Sequence, residues 1–135
     1  MEDDEELEII KYRKLKNLIR KSSEEQKQAI DKPVEVTDNN FMEIIQRNPL
    51  VVIDCWAPWC PPCHAIAPII DGMARDYAGR ILFGKLNVDE NQIATTHFQI
   101  MSIPTLLIFK NGKLIDRIIG AMPRHLLEPR ITRYL

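Results

Sequence analysis

The sequence has few cysteines and no long apolar run, and both absences limit the kind of protein it encodes. Three cysteines in 135 residues are too few for the disulfide framework of a small secreted domain. No stretch approaches the ~18 consecutive apolar residues that a membrane-spanning helix needs. Residues 1–6 are mostly acidic and lack the apolar core of a secretory signal peptide. These absences predict a cytoplasmic protein with no membrane partner.

A strong net charge and internal repeats are also missing. Lysine and arginine number 18 against 19 aspartates and glutamates, so the formal net charge is −1, which predicts no nucleic-acid partner. Hydrophobic residues make up 45% of the chain, enough for an ordinary core. A chain of 135 residues without repeats predicts one domain with a short appendage.

Charge density divides the chain into two parts. Residues 1–32 hold nine acidic and eight basic side chains, and segment 4–21 begins acidic and ends basic, an order that suits a helix dipole. Its apolar residues recur at helical spacing, namely Leu7, Ile10, Leu15 and Leu18. We therefore predict a charged amphipathic helical extension with its linker over 1–32 and a globular domain over 33–135. The extension either packs loosely or docks a partner.

Two of the cysteines lie where a strand should give way to a helix. The apolar run 50–54 is typical of a short buried strand, and 65–70 is typical of a helix. Cys60 would then lie near the helix start, where unpaired N–H groups and the helix dipole favour the thiolate that attacks disulfides. Cys63, one turn further on, can reach the same sulfur. The spacing therefore suits a two-electron dithiol/disulfide couple.

The remaining pattern alternates strands and helices. We predict strands at 34–36, 50–56, 81–87, 105–110 and 113–119, and helices to about 47 and at 60–77, 92–98 and 123–134. Asn39 or Asn40 should cap the helix that ends near 47, Asn111-Gly112 should form a hairpin turn, and Pro68 should break the long helix. This order predicts an α/β fold: a mixed sheet of about five strands with helices on both faces, plus an extra N-terminal helix.

Several short motifs connect the chain to a known family. In order they are Val52-Ile53-Asp54-Cys55-Trp56-Ala57, Trp59-Cys60-Pro61-Pro62-Cys63, Ala67-Pro68, Gly84-Lys85-Leu86-Asn87-Val88-Asp89, Ile103-Pro104-Thr105, Phe109-Lys110-Asn111-Gly112 and Gly120-Ala121. On these motifs, 33–135 resembles the thioredoxin family, and 1–32 lies outside the resemblance. The resemblance implies the thioredoxin fold and a monomeric enzyme that reduces disulfides in target proteins by dithiol–disulfide exchange. It also implies no bound cofactor, with electrons supplied by a thioredoxin reductase or an equivalent donor.

The resemblance also implies a role for each reactive residue. Cys60 would be the exposed attacking thiolate, Cys63 the more buried resolving thiol, and the oxidised form would carry a Cys60–Cys63 disulfide. Asp54 would be a buried carboxylate that accepts a proton as Cys63 is activated, and desolvation should raise its pKa towards the range useful for a base. Lys85 matches a family lysine near that aspartate.

Other matches concern target binding and packing. Pro104 matches a family cis-proline that faces the dithiol, and a cis bond would leave the Ile103 backbone open to an extended target segment. An apolar rim around Cys60 would comprise Trp59, Pro62, Ile103 and Ala121. Trp56 should pack beneath the site. Cys55 should point to the opposite sheet face from Asp54 and serve as a small buried hydrophobe.

Two residues depart from the family pattern. Pro61 replaces the usual glycine, and proline suits the first helical turn but removes an N–H that could stabilise the Cys60 thiolate. These two effects influence the redox potential in opposite directions. His64 replaces the usual lysine or arginine. An imidazole ordinarily titrates near neutrality, so His64 either makes Cys60 reactivity more pH-dependent or is simply a solvated helix residue.

Competing interpretations of the same residues are weaker. The run 60–64 also matches the c-type haem attachment motif, with Met101 as the distal ligand, and zinc would need Cys60, Cys63, His64 and His97 together. Because there is no visible export signal and no second cysteine pair, we predict no metal. The functional alternatives are a protein disulfide oxidase or isomerase, and a partner-binding thioredoxin-like module that uses residues 1–32.

Overall fold

A computed structural model describes residues 9–16 and 30–135, and residues 9–16 are helical (α1). The later helices are α2 (Phe41–Arg47), α3 (Pro61–Asp76), α4 (Gln92–His97) and α5 (Arg124–Thr132). The strands are β1 (Val34–Val36), β2 (Leu50–Trp56), β3 (Leu82–Asn87), β4 (Thr105–Lys110) and β5 (Lys113–Ile119). From β1 onwards, this order of strands and helices is the predicted one.

The five strands form one mixed sheet in the order β1-β3-β2-β4-β5. The pairs β1·β3 and β2·β3 are parallel, whereas β2·β4 and β4·β5 are antiparallel. The β4–β5 hairpin turns at Asn111 and Gly112, whose φ angles are 52° and 82°. Two positive φ angles are what a two-residue type I′ turn requires, so the predicted hairpin and mixed sheet are both confirmed.

Alternate residues of β2 belong to two hydrophobic cores on opposite faces of the sheet. Leu50 and Val52 join the core that includes the buried residues of α3 and α5. Val51, Ile53 and Cys55 join the core that includes buried residues of α2 and α4. Because side chains alternate along a strand, Asp54 lies on the α3 face. The predicted helices on both faces are confirmed, and the central strand is buried on both sides.

Pro68 does not break α3, contrary to the prediction. The helix continues from Pro61 to Asp76 with Pro68 inside it. A proline removes one helical hydrogen bond, but Ile66 and Ile70 on either side of Pro68 are buried in the core. Packing of the flanking turns against the sheet therefore maintains the helix across the missing bond.

Asn40 occupies the N-cap position of α2 without capping the helix through its side chain. Its Oδ1 instead accepts a hydrogen bond from the Thr37 N–H at 2.7 Å, and its Nδ2 donates to the Glu35 carbonyl at 3.0 Å. The side chain thus stabilises the turn that links β1 to α2. The expected cap residue is in place, but its hydrogen bonds serve the preceding turn.

The N-terminal extension is described only in part. Ile10 and Leu15 are exposed in α1, while Leu7 and Leu18 lie outside the described residues, so the amphipathic face and the division at 32 stay predictions. No helix within 9–16 or 30–135 is long and apolar enough to cross a membrane.

Gly84 allows β3 to pack closely against β1. A Cβ atom at this position would lie 2.5 Å from Cγ2 of Val36. We expect Gly84→Ala to lower the free energy of unfolding by about 1–3 kcal/mol, because a full core accommodates an extra methyl group poorly. Urea denaturation measures the change.

A double variant tests that cause. Val36→Ala removes the colliding methyl groups, so Gly84→Ala combined with Val36→Ala should lose less stability than the two single losses added together. Strictly additive losses would show that Val36 is not the obstacle.

Candidate active site

Cys60 lies at the start of α3, as the sequence predicts. It is the N-cap residue, with extended backbone angles of φ −100° and ψ 104°. A disulfide joins it to Cys63, and the two Cα atoms are 5.3 Å apart. The Cys63 N–H donates a hydrogen bond to the Cys60 sulfur at 3.3 Å. The reactive sulfur is therefore a helix cap as well as half of the redox pair.

Prolines occupy the first two positions of α3. Neither Pro61 nor Pro62 has an N–H, so Cys63 supplies the first amide of the helix that can reach the Cys60 sulfur. Since a helix N-terminus stabilises an anion largely through such amides, this site has fewer of them than a glycine at position 61 would allow. The two opposed effects of Pro61 on the redox potential stay predictions.

Both cysteines are buried in the disulfide form. Cys60 is 3% exposed and Cys63 is 2% exposed, so the expectation of an exposed Cys60 is wrong for this form. The Cys60 sulfur is bonded to Cys63 and accepts its N–H, which turns the sulfur towards the helix start. Trp59, immediately before it, is 67% exposed.

Asp54 is a buried carboxyl group on the α3 side of the sheet. It is 1% exposed, and neither of its oxygens has a hydrogen-bond partner among residues 9–16 and 30–135. Burial raises the pKa of Asp54 from its ordinary 3.8 to about 7, with Lys85 opposing the rise and Asp71 adding to it. Near neutral pH this carboxyl group can both accept and release a proton.

Lys85 lies beside Asp54 in the sheet. The two residues are paired in the parallel register of β2 and β3, so their side chains share a face. The Lys85 ammonium lies 4.7 Å from the centre of the Trp56 ring, a cation–π distance. Lys85 thus acts on Asp54 through charge and packs on Trp56, and its predicted catalytic role stays a prediction.

Four strand ends lie together at the edge of the sheet where β2 leads to Cys60. The register places Thr105, at the start of β4, beside Cys55 near the end of β2. The Val88 N–H, after β3, donates to the Trp56 carbonyl at 2.9 Å, and the Gly120 N–H, after β5, donates to the Pro104 carbonyl at 2.9 Å. The Ile103–Pro104 bond that precedes β4 is cis, as predicted. One edge of the sheet therefore brings the sequence motifs together.

The predicted rim residues are all at least partly accessible at this edge. Trp59, Pro62 and Ala121 are exposed and Ile103 is half-buried, whereas Pro104 itself is buried. Trp56 is half-buried, consistent with packing beneath the site. The part these side chains play in target binding stays a prediction.

Two contacts of the site were not predicted. The Trp59 indole N–H donates to Asp89 Oδ2 at 2.8 Å. The His64 Nε2 lies 2.6 Å from the Pro58 carbonyl oxygen. Asp89 is the last residue of one of the family motifs, but the sequence indicated no role for it. A backbone carbonyl leaves no sequence signal, so the Pro58 partner could not have been found.

The remaining candidate residues are not part of this arrangement. Cys55 is fully buried and free, and burial raises the pKa of its thiol, first of all through desolvation. His97 packs against Phe41 and Phe98 of the opposite core, away from the cysteine pair. Within 9–16 and 30–135, no group of three or more His, Cys, Asp or Glu side chains could hold a metal ion.

Comparisons with known proteins agree with this site. A family model described as Thioredoxin matches residues 32–133. A thioredoxin from Chlorobaculum thiosulfatiphilum is 42% identical over 102 residues, covering 75% of this chain and 94% of that protein. A chloroplastic M-type thioredoxin from Pisum sativum is 44% identical over 110 residues, covering 81% of this chain and 64% of that protein.

A solved structure is similar as well. A single-site mutant of thioredoxin from Halobacterium salinarum NRC-1 superposes with a TM-score of 0.72 at 27% identity, covering 77% of this chain and 91% of that one. The similarity thus spans the described domain from β1 to α5.

The raised pKa of Asp54 predicts how stability depends on pH. The unfolded carboxyl group ionises near 3.8 and the folded one near 7, so the folded protein binds the extra proton between these values. Stability should therefore fall as pH rises from about 4 to about 7, by roughly 4 kcal/mol in total. Asp54→Asn should lack this pH dependence. The free energy of unfolding of the variant minus that of the wild type should therefore rise by about the same amount between pH 4 and pH 7.

Denaturant unfolding at pH 4 and pH 8 measures both proteins. The matched control is Asp71→Asn, the same substitution at an exposed position of α3. Asp71 also raises the Asp54 pKa, but by less than burial does, so Asp71→Asn should change the pH dependence far less than Asp54→Asn does. Identical pH dependence in wild type and Asp54→Asn would contradict the assignment.

Proposed function

We propose that this protein, which belongs to the thioredoxin family, reduces disulfide bonds in other proteins by dithiol–disulfide exchange through Cys60 and Cys63. The observation that carries the proposal is the disulfide-forming pair at the N-terminus of α3, with the Cys60 sulfur as the helix cap. A sulfur in this position is favoured as a thiolate, and its partner is close enough to close the bond again.

The reaction begins with the dithiol form. The Cys60 thiolate attacks one sulfur of a target disulfide, the target S–S bond breaks, and the second target sulfur leaves as a thiolate that takes up a proton. Cys63, as a thiolate, then attacks the Cys60 sulfur in the mixed disulfide. The target leaves with both of its cysteines reduced. Cys60 and Cys63 are left oxidised, as a disulfide.

Asp54 supports the second step of this reaction. Its carboxyl group is buried on the face that α3 covers, it has no hydrogen-bond partner in the described part of the chain, and its pKa is raised to about 7. Such a group is a base near neutral pH, so it can accept the Cys63 proton, directly or through water. Lys85, beside it in the sheet, favours the ionised carboxylate.

Targets bind over the sheet edge that carries Cys60. The exposed Trp59, Pro62 and Ala121 and the half-buried Ile103 offer an apolar surface to the residues next to the target disulfide. The Ile103 backbone precedes β4 and offers hydrogen bonds to an extended segment, as in strand addition. Recognition of this kind depends on the target backbone and on apolar surface area, and little on the target sequence. It therefore suits many different target proteins.

The cycle needs an external reductant and no cofactor bound to this chain. Two electrons leave with each reduced target, so a thioredoxin reductase or an equivalent donor must restore the Cys60–Cys63 dithiol. A compartment that maintains reduced thiols suits this cycle, and we propose the cytoplasm. The chloroplastic relative makes the plastid the other compartment to test by fractionation of the native host cell.

Trapping of the mixed disulfide tests the assigned order of attack. Cys63→Ser cannot resolve the intermediate, so a target such as insulin should accumulate in a covalent complex with Cys60 that dithiothreitol releases. Non-reducing electrophoresis with mass spectrometry measures the complex. Cys60→Ser is the matched control and should neither trap insulin nor reduce it. A trapped complex in the Cys60→Ser variant, or none in the Cys63→Ser variant, would reverse or refute the roles.

Single-turnover kinetics test the role of Asp54. Asp54→Asn should slow release of the reduced target by at least ~10-fold at pH 7, because a general base is lost. It should leave formation of the mixed disulfide nearly unchanged, since that step uses the Cys60 thiolate. Rapid quenching by acid separates the two steps. Equal rates of release in variant and wild type would remove Asp54 from the mechanism.

A further inference from the structure

The His64 side chain connects the first turn of α3 to the loop that precedes Cys60. Its Nε2 lies 2.6 Å from the Pro58 carbonyl oxygen. A carbonyl oxygen only accepts hydrogen bonds, so Nε2 must carry the proton and donate it. The ring also meets Trp56 edge to face, with the ring centres 6.2 Å apart and the planes at 74°. One side chain of α3 therefore touches the end of β2 and the loop beyond it.

The loop that His64 touches is a tight turn. The Cys60 N–H donates to the Ala57 carbonyl at 3.2 Å, which makes Pro58 and Trp59 the two central residues of a β-turn. The peptide group between the central residues is the part whose orientation differs among turn types, and the turn's own hydrogen bond does not use its carbonyl. His64 binds that carbonyl and so restricts the rotation of this peptide group.

Trp59 is consequently held on two sides. Its backbone nitrogen belongs to the peptide group that His64 binds, and its indole N–H donates to Asp89 at 2.8 Å. The ring nevertheless remains 67% exposed. An exposed aromatic ring whose position is fixed before binding loses less conformational entropy when a partner covers it.

We propose that His64 is a positioning residue for protein targets: its hydrogen bond to Pro58 holds the Ala57–Cys60 turn so that Trp59 presents a fixed apolar surface beside Cys60. This inference rests on the proposed reductase function. It assigns His64 to target binding and leaves the chemistry of thiol exchange to the cysteines. Removal of the hydrogen bond should therefore weaken the binding of proteins that cover Trp59 and spare disulfides too small to reach it.

Steady-state kinetics with two substrates separate these effects. Insulin serves as the protein disulfide and 2-hydroxyethyl disulfide as the small one. His64→Leu removes the donor, and we expect KM for insulin to rise about two- to tenfold, the size expected for one hydrogen bond. The value of kcat for insulin, and kcat/KM for the small disulfide, should stay within about twofold of wild type.

Two further variants separate the hydrogen bond from other effects. His64→Gln places an amide N–H where Nε2 lies in histidine, so it should restore KM for insulin although the ring contact with Trp56 is lost. His125→Leu makes the leucine substitution at an exposed histidine of α5 and should match wild type with both substrates.

The possible results distinguish the inference from the proposed function. An unchanged KM in His64→Leu, an equal loss with both substrates, or a failure of His64→Gln to restore KM would overturn the positioning role. A wild-type protein that reduces neither substrate would overturn the proposed function, and the inference with it.

Discussion

The junction between β2 and α3 is the constraint on which the site depends. Every residue of β2 from Leu50 to Cys55 is buried, and the strand pairs with neighbours on both sides. A strand packed on two faces and paired at two edges cannot shift without loss of both cores. Its end therefore fixes the turn at Ala57–Cys60, and this turn places Cys60 as the cap of α3.

The same burial that fixes the junction raises the pKa of Asp54. A carboxyl group on a fully buried strand is costly when ionised, and no other residue that the structure describes forms a hydrogen bond with the Asp54 side chain. Burial therefore raises the pKa of Asp54 to about 7, and the positive charge of Lys85 limits this rise. A residue selected only for stability would be apolar here, since replacement of buried charges by apolar groups is often neutral or stabilising. Folding stability therefore does not account for Asp54, whereas the proposed transfer of a proton from Cys63 would.

The sequence predicted the fold and the reactive pair well because both depend on local patterns. Strand and helix order followed from apolar periodicity, the hairpin from Asn111-Gly112, and the Cys60 cap position from the junction of two periodicities. The expectations that were wrong concerned tertiary context. Packing of Ile66 and Ile70 maintains α3 across Pro68, and Cys60 is buried in the disulfide form. Neither feature could be predicted from the neighbouring residues alone.

Hydrogen bonds between side chains and backbone groups could not be predicted from the sequence. Asn40 is a residue type that commonly caps helices, but its side chain bonds to Thr37 and Glu35 instead. The predicted influence of His64 on Cys60 reactivity stays a prediction, and the structure adds the Pro58 carbonyl as a partner that the sequence did not indicate. Carbonyl groups are present at every residue, so only the folded chain identifies the one that is used.

The redox equilibrium of the Cys60–Cys63 pair tests the central claim most directly. Wild-type protein is equilibrated in dithiothreitol and glutathione buffers, and the fraction of dithiol is measured by alkylation and mass spectrometry. We predict a potential near the ~−270 mV of thioredoxin, as a reductant requires. A value near the ~−120 mV of strongly oxidising relatives would contradict it, because the same site would then form disulfides in its targets.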